Sequence, residues 1–412
     1  GTYNTAVGCE ALEANTTENN NTAIGHKAFH SCTTQSEATA VGAFAGQAVT
    51  TGDQNTLMGY NAGGSLTTGG SNIAIGAYAL DAATTTSHNT AVGNAALSAV
   101  DSHYNTALGS SAMQLTTTGD RNTALGYGTL YDNTIGAQNT AVGMSALENN
   151  TTASSNTAVG YNVLSANTTG ATNTAVGYLA LTANTTGLRN TAIGSQAGQS
   201  ITTGNYNTAL GQNALPTATT ASYNTALGDS SLYLTTTGAQ NTAVGQASLY
   251  SNTTGSYNIA VGDNCLVYNT TASHNTAVGS QAAYNNTTGE FNTAVGRQTA
   301  YNTTTGTHNT CLGYYSFAAN TTGSYNTSLG SVALDANTTA SNNTAIGYAA
   351  LSSNTTGTRN TAVGVEALES NVTGNYNTAL GFRALEANTA DSNTGVGDWA
   401  LGSNTSGADN TS

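Results

Sequence analysis

The sequence predicts an all-β protein, a parallel β-solenoid (β-roll) of about 24 coils in which each 17-residue repeat closes one circuit. Three observations predict it. The phrase N-T-A-(V/I/L)-G returns along the whole chain, with its Asn at 4, 21, 55, 72 and 89, then at 105, 122 and onward in steps of 17 to 377, then at 393 and 410. Ala38 holds the place of one Asn, and the steps from Asn89 and Asn377 are 16 residues. The fifth position of the repeat is Gly in all 24 units, as in Gly8, Gly177 and Gly397. Third, positions nine and twelve vary together: most units carry Leu and Asn there, as in Leu181 and Asn184, whereas Gly46, Gly63 and Gly198 are accompanied by Val49, Leu66 and Ile201. One apolar group is lost as another is gained three residues on, so both positions are expected to fill the same interior.

Each unit opens on an alternating run in which Thr174 and Val176 share one face and Asn173, Ala175 and Gly177 the other, which reads as a strand. Helix is disfavoured, because Gly, Asn and Thr recur within every turn's worth of residues and each costs several tenths to about 1 kcal/mol against Ala. The fifth-position Gly implies a bend or a close approach that a Cβ would obstruct. Tyr178 to Thr182 is expected to form a second short strand, and N-T-T-G, Asn184 to Gly187, a second turn whose Gly is free to take positive φ. Stacked at about 4.8 Å per coil, 24 units would give a rod on the order of 115 Å long. The single Pro, Pro216, fits continuous backbone pairing. So strict a period leaves no room for a domain boundary, and residues 1–412 read as one array. The chain opens as GTY before Asn4 and closes in NTS, each inside a repeat, so the array is expected to be a fragment of a longer fibre protein or to stack on further material. Because both faces of the first strand carry small apolar residues, one is expected to be covered by the coil's own second strand and the other by a partner chain. A homotrimer is the favoured arrangement, a single-chain solenoid the alternative.

Composition narrows the function. Charged residues are 6% of the chain, and the net charge of −14 comes from sparse Asp and Glu against six Lys and Arg. Low charge with a single Pro argues against disorder. No basic patch exists to neutralise a nucleic-acid backbone, and no apolar run could span a bilayer, so neither nucleic acid nor membrane insertion is expected. Cys9, Cys32, Cys265 and Cys311 fall at four different positions of the repeat with no C-x-x-C spacing, which argues against metal or redox roles. A Cys9–Cys32 bridge between adjacent coils is conceivable; small buried or tolerated thiols are the favoured reading. His88, His274 and His308 precede the repeat's Asn, a place where other units carry Tyr206, Arg189 or Gln240; with His26, His30 and His103 they form no ligand or catalytic pattern. Neither H-E-x-x-H, nor a nucleophile elbow, nor a P-loop occurs, and the carboxylates are dispersed with nothing in one unit kept at the next. No enzyme, metal or cofactor is expected.

Two surface features remain. Tyr recurs before the Asn (Tyr206, Tyr223, Tyr257, Tyr325, Tyr376) or after the Gly (Tyr161, Tyr178, Tyr348), either stacking along the axis for stability or meeting sugars of a host surface. The N-T-T turns at Asn15, Asn150, Asn167, Asn184, Asn252, Asn269, Asn286, Asn320, Asn337 and Asn354 fit the N-x-T glycan-acceptor pattern, which a turn built of Asn and Thr also meets by chance.

The recurring NTAVGxxAL resembles the head repeats of trimeric autotransporter adhesins, and more closely the NTAVG and NTTG arrays of bacteriophage-type tail fibres and bacterial surface fibres. The resemblance covers the whole chain. It implies a left-handed roll, a trimer, and an extracellular shaft or stalk on a bacterial surface or virion that presents a binding tip. The units here are longer than the usual head repeat, mainly through the N-T-T-G turn, and the stalk, anchor and self-cleaving chaperone that such proteins often carry are not in this sequence. The rival reading is a ligand-binding solenoid for carbohydrate or ice, using the Tyr ladder or the Thr ladder of Thr174, Thr191 and Thr208.

Overall fold

The computed structural model describes residues 1–412 and contains 24 three-residue strands and no helix. The chain divides into two compact units. Gly1–Tyr206 holds β1 (Thr5–Val7) to β12 (Thr191–Ile193), and Asn207–Ser412 holds β13 (Thr208–Leu210) to β24 (Thr394–Val396). Within each, successive strands pair in parallel and in register, Thr on Thr and Ala on Ala, as in Thr157, Thr174 and Thr191. The repeat therefore builds a parallel β-solenoid with one strand per coil.

The strand's alternation is as expected, and the structure decides which face is inside. Ala175 and Asn173 are fully buried, while Thr174 and Val176 lie on the outer face, half-exposed. Backbone pairing does not stop at the strand ends. In one coil Gly177 N donates to Val159 O, Leu179 N to Tyr161 O, Leu181 N to Ala197 O and Thr185 N to Thr202 O, at 2.8–3.1 Å. Neighbouring coils are thus bonded around most of the circuit.

The expected second strand, Tyr178 to Thr182, does not form. Leu179 and Leu181, positions seven and nine of the repeat, take φ of 57° and 49°. The cause lies in the apolar pair at positions eight and nine: Ala180 and Leu181 are adjacent yet both fully buried, and an alternating strand cannot point two neighbours the same way. Left-handed turns can. Each such residue costs roughly 1–2 kcal/mol, offset here by the burial of Leu and the inter-coil bond its N–H donates.

The two glycines of the repeat have different reasons. Gly177 has φ of 133°, and a Cβ there would stand 2.5 Å from Gly194 O of the next coil, so the invariance of position five follows from both conformation and contact. Gly187 does not take the positive φ expected of it; the left-handed residue of that turn is Arg189, φ 55°. Position fifteen is correspondingly less strict, and holds Ala153, Ala221, Ala272 and Ala340 in other coils.

Compensation between positions nine and twelve is visible directly. Val49, Leu66 and Ile201 are buried, and a Cβ on Gly198 would approach Leu181 Cδ2 and Ile201 Cδ1 at 3.0 and 3.1 Å. Position three joins the exchange: Leu57, where most coils have Ala, fills the space beside Gly46 and Gly63, with its δ-carbons 2.6 and 2.9 Å from where their Cβ atoms would lie. The two 16-residue coils lose their residue from the second turn, and the strands on either side still pair in register, Thr90 with Thr106 and Thr378 with Thr394.

Two outcomes follow. Gly177→Ala should destabilise its coils by on the order of 3 kcal/mol, whereas Gly187→Ala, whose Cβ would crowd Asn184 Oδ1 and Gly204 O at 2.3 and 2.5 Å but needs no left-handed backbone, should cost less, as the Ala of other coils at that position indicates, read as local opening by hydrogen exchange. Gly198→Leu overpacks and Ile201→Asn leaves a void, each costing about 1–3 kcal/mol, but the double variant restores the common Leu and Asn pair and should recover most of the loss in a double-mutant cycle.

Candidate functional surface

The interior carries structure rather than chemistry. Two amide columns run through it. At position one, Asn190 N donates to Asn173 Oδ1 of the preceding coil (2.8 Å), while Asn173 Nδ2 donates to Gly187 O of its own coil (2.9 Å). At position twelve, Asn184 Nδ2 donates to Asn167 Oδ1 (2.8 Å) and to the same Gly187 O (3.2 Å). The second unit repeats the pattern at Asn258, bonded to Asn241 Oδ1 and Ala272 O. Where Ile201 interrupts the twelfth-position column, Asn184 Oδ1 is left buried without a donor.

This places the acceptor-pattern asparagines. Asn150, Asn167, Asn184, Asn252, Asn269, Asn286, Asn320, Asn337 and Asn354 are at most 1% exposed, with their amide nitrogens donating inside the coil; Asn15 alone is partly exposed. Attaching a glycan to any of the nine requires the coil to open. The thiols divide likewise. Cys9 is exposed on the outer column of position six, and Cys32, Cys265 and Cys311 are buried. Burial pushes the Cys265 thiol up to about 12 and raises Cys32 and Cys311 as well, so these three are held protonated.

On the outside, the five expected tyrosines all lie at position seventeen, exposed and left-handed, from Tyr206 at 41% to Tyr325 at 59%. The column they share is mixed. Tyr257, His274, Phe291, His308 and Tyr325 form one run of five rings, with centroids 4.9–5.0 Å apart and interplanar angles from 3° to 26°. Elsewhere Arg189 and Arg359 lie over Tyr206 and Tyr376 at 5.3 and 5.2 Å, and His88 stacks on Tyr104. In the five-ring run the internal ring faces cover one another, which leaves edges rather than faces for a sugar.

Charged clusters escaped the sequence reading because each is assembled from two coils. Position seven and position ten of neighbouring coils bring Glu10, Glu13 and His30 together, with His30 Nε2 2.9 Å from Glu13 and 3.4 Å from Glu10, and Lys27 Nζ also 3.4 Å from Glu10. The same positions assemble Glu366, Glu369 and Glu386 around Arg383, whose Nε bonds Glu366. Either triad has three ligand atoms close enough for one cation; each already holds a protein cation. Burial first, then the neighbouring Glu366 and Glu386, raises Glu369. Only an arithmetic of one period, i beside i + 17, would have found these sets.

The outer face of the sheet is the most continuous surface. Position four is apolar in every coil and partly exposed, as in Ile24, Leu108 (45%) and Leu125 in the first unit and Leu210, Leu312 and Leu380 in the second. Beside it runs the Thr column of position two. With an amide-laddered interior and a stripe of apolar side chains open on one face, the chain is a β-solenoid repeat protein. Comparison with protein-family models and with curated proteins returns no match for this chain. No helix is long and apolar enough to cross a membrane.

Asp81 and Asp335, at position ten, have their carboxyls raised by burial, and Asp335 Oδ1 has no partner. A carboxyl raised in the folded state contributes stability that is present below the ordinary carboxylate range and lost as pH rises through its folded value. Asp335→Asn should therefore stabilise the protein at pH 7 by up to about 1 kcal/mol, an advantage that disappears in thermal unfolding at pH 3.

Proposed function

We propose that this chain is the structural shaft of an extracellular fibre, of the adhesin or tail-fibre type, and that it works as a homotrimer without catalysing a reaction. The observation that supports this best is the position-four stripe. Each coil covers its own Asn and Ala face, yet leaves a Val, Ile, Leu or Met on the other face partly exposed, coil after coil. Contiguous apolar stripes of this length are uncommon on monomers and mark contact surfaces. Because like residues fall in line, a second copy of the same chain presents a matching stripe at the same spacing, and three copies around an axis would bury all of them. The left-handed winding is taken from the resemblance to autotransporter heads and tail-fibre arrays.

The interior also favours a structural role: most of its asparagine amides bond one another or the backbone of the coil, and each of the two charged clusters already pairs a carboxylate with its own Lys or Arg. A sugar-binding role for the position-seventeen column is the weaker reading, since its longest run is stacked face to face. In native mass spectrometry the 412-residue chain should appear as a trimer. The pair Leu108→Asp and Leu125→Asp should shift it to smaller species with unchanged circular dichroism, and a wild-type monomer would refute the assembly.

A further inference from the structure

We infer that the second unit carries a lateral binding groove for a neutral polysaccharide strand, built by positions eleven and thirteen of consecutive coils. The groove has a volume of about 590 Å³, inside the range of ligand sites. Its floor is the threonine column from Thr270 to Thr321, one residue per coil, and its wall includes Tyr268, Asn285 and Asn302. Four coils at the strand spacing give it a run of about 14 Å.

The chemistry of the lining selects the ligand. No charged side chain borders the groove, so an ionic ligand has no partner there. The floor hydroxyls of Thr270, Thr287 and Thr304 each donate to the carbonyl of the next threonine at 3.0–3.1 Å, leaving oxygen lone pairs and methyl groups to face a ligand. On the wall, Asn285 Nδ2 donates to Asn302 Oδ1 at 3.0 Å, which leaves the Asn285 carbonyl and the Asn302 amide nitrogen available. The surface thus offers several acceptors and a neutral donor at a regular spacing, matched to a chain of hydroxyl groups. Tyr268 stands outside the face-to-face ladders: it meets Tyr284 at 88°, while Tyr284 and Tyr301 stack at 3°. Its exposed ring forms an apolar wall for a sugar ring.

An extended peptide fits less well. Peptide strands bind chiefly through free main-chain groups, and here the floor carbonyls are doubly engaged: Thr287 O accepts both Thr270 N and Thr270 Oγ1, and Thr304 O both Thr287 N and Thr287 Oγ1. The groove and the position-four stripe share no residue.

The test uses the full chain and calorimetric titration with linear hexasaccharides of glucose, mannose, galactose and N-acetylglucosamine, plus a hexamer of galacturonic acid and a neutral Gly-Ser peptide. At least one neutral hexasaccharide should bind with a Kd below 1 mM and more tightly than the acid or the peptide. Tyr268→Ala and Asn302→Leu should each weaken it at least tenfold with unchanged circular dichroism, while His274→Ala, in the stacked column, should not. Failure of every neutral sugar, tighter binding of the peptide or the acid, or indifference to Tyr268→Ala would each overturn the inference. The oligomeric state, measured separately, bears on the shaft alone.

Discussion

The carbonyl oxygen at position fifteen is the point on which each coil closes. It receives the side-chain amide of the asparagine that starts the repeat and, in coils such as that of Asn173, also the amide of the asparagine three residues upstream, so the beginning and the end of a circuit are tied to one atom. The same two asparagines reach along the axis, one through its oxygen to the next coil's backbone N–H and the other through an amide-to-amide ladder. A core made only of Ala, Val and Leu could slide by a residue at modest cost. Buried amides cannot, because a displaced register leaves donors and acceptors without partners in a medium where each is worth about 1–3 kcal/mol. Register is therefore specified by polar groups, and the apolar residues supply volume.

Much of this is legible in the sequence, for identifiable reasons. A repeat of fixed length is its own alignment: the unvarying Gly177 class and the coupled changes at Gly198 and Ile201 reveal a forbidden Cβ and a shared cavity without any relative to compare. Thr-Ala-Val declares a strand through its alternation. The segment after it misleads, because five residues between two turns read as a second strand by length, whereas the adjacent Ala180 and Leu181 carry the contrary signal that two neighbours face inward. The conformation at Arg189 and its equivalents was hidden for another reason. Nearly any residue type occupies that position, and a left-handed backbone held by inter-coil bonds imposes no composition that a reader could detect.

Surface features follow a different logic. An aromatic run such as Tyr257 to Tyr325 is not a property of any unit; five unlike units become one object only after stacking. The same holds for the charged clusters at Glu10 and Glu366 and for the groove beside Tyr268. In such a fold the interior is the part that repeats and is read directly, while individuality is written on the outside, across coils rather than along them.

The two shortened coils show where this arrangement gives. Both lose a residue from the stretch between position twelve, Val100 in one and Asn388 in the other, and the closing carbonyl, yet Asn89 and Asn377 still reach those carbonyls at Ser102 and Ala390. Length at that bend is uncoupled from the register of everything else, which makes it a natural graft point: a foreign epitope spliced there would project sideways from the stack, and copies could be set at a chosen spacing simply by choosing which repeats carry it.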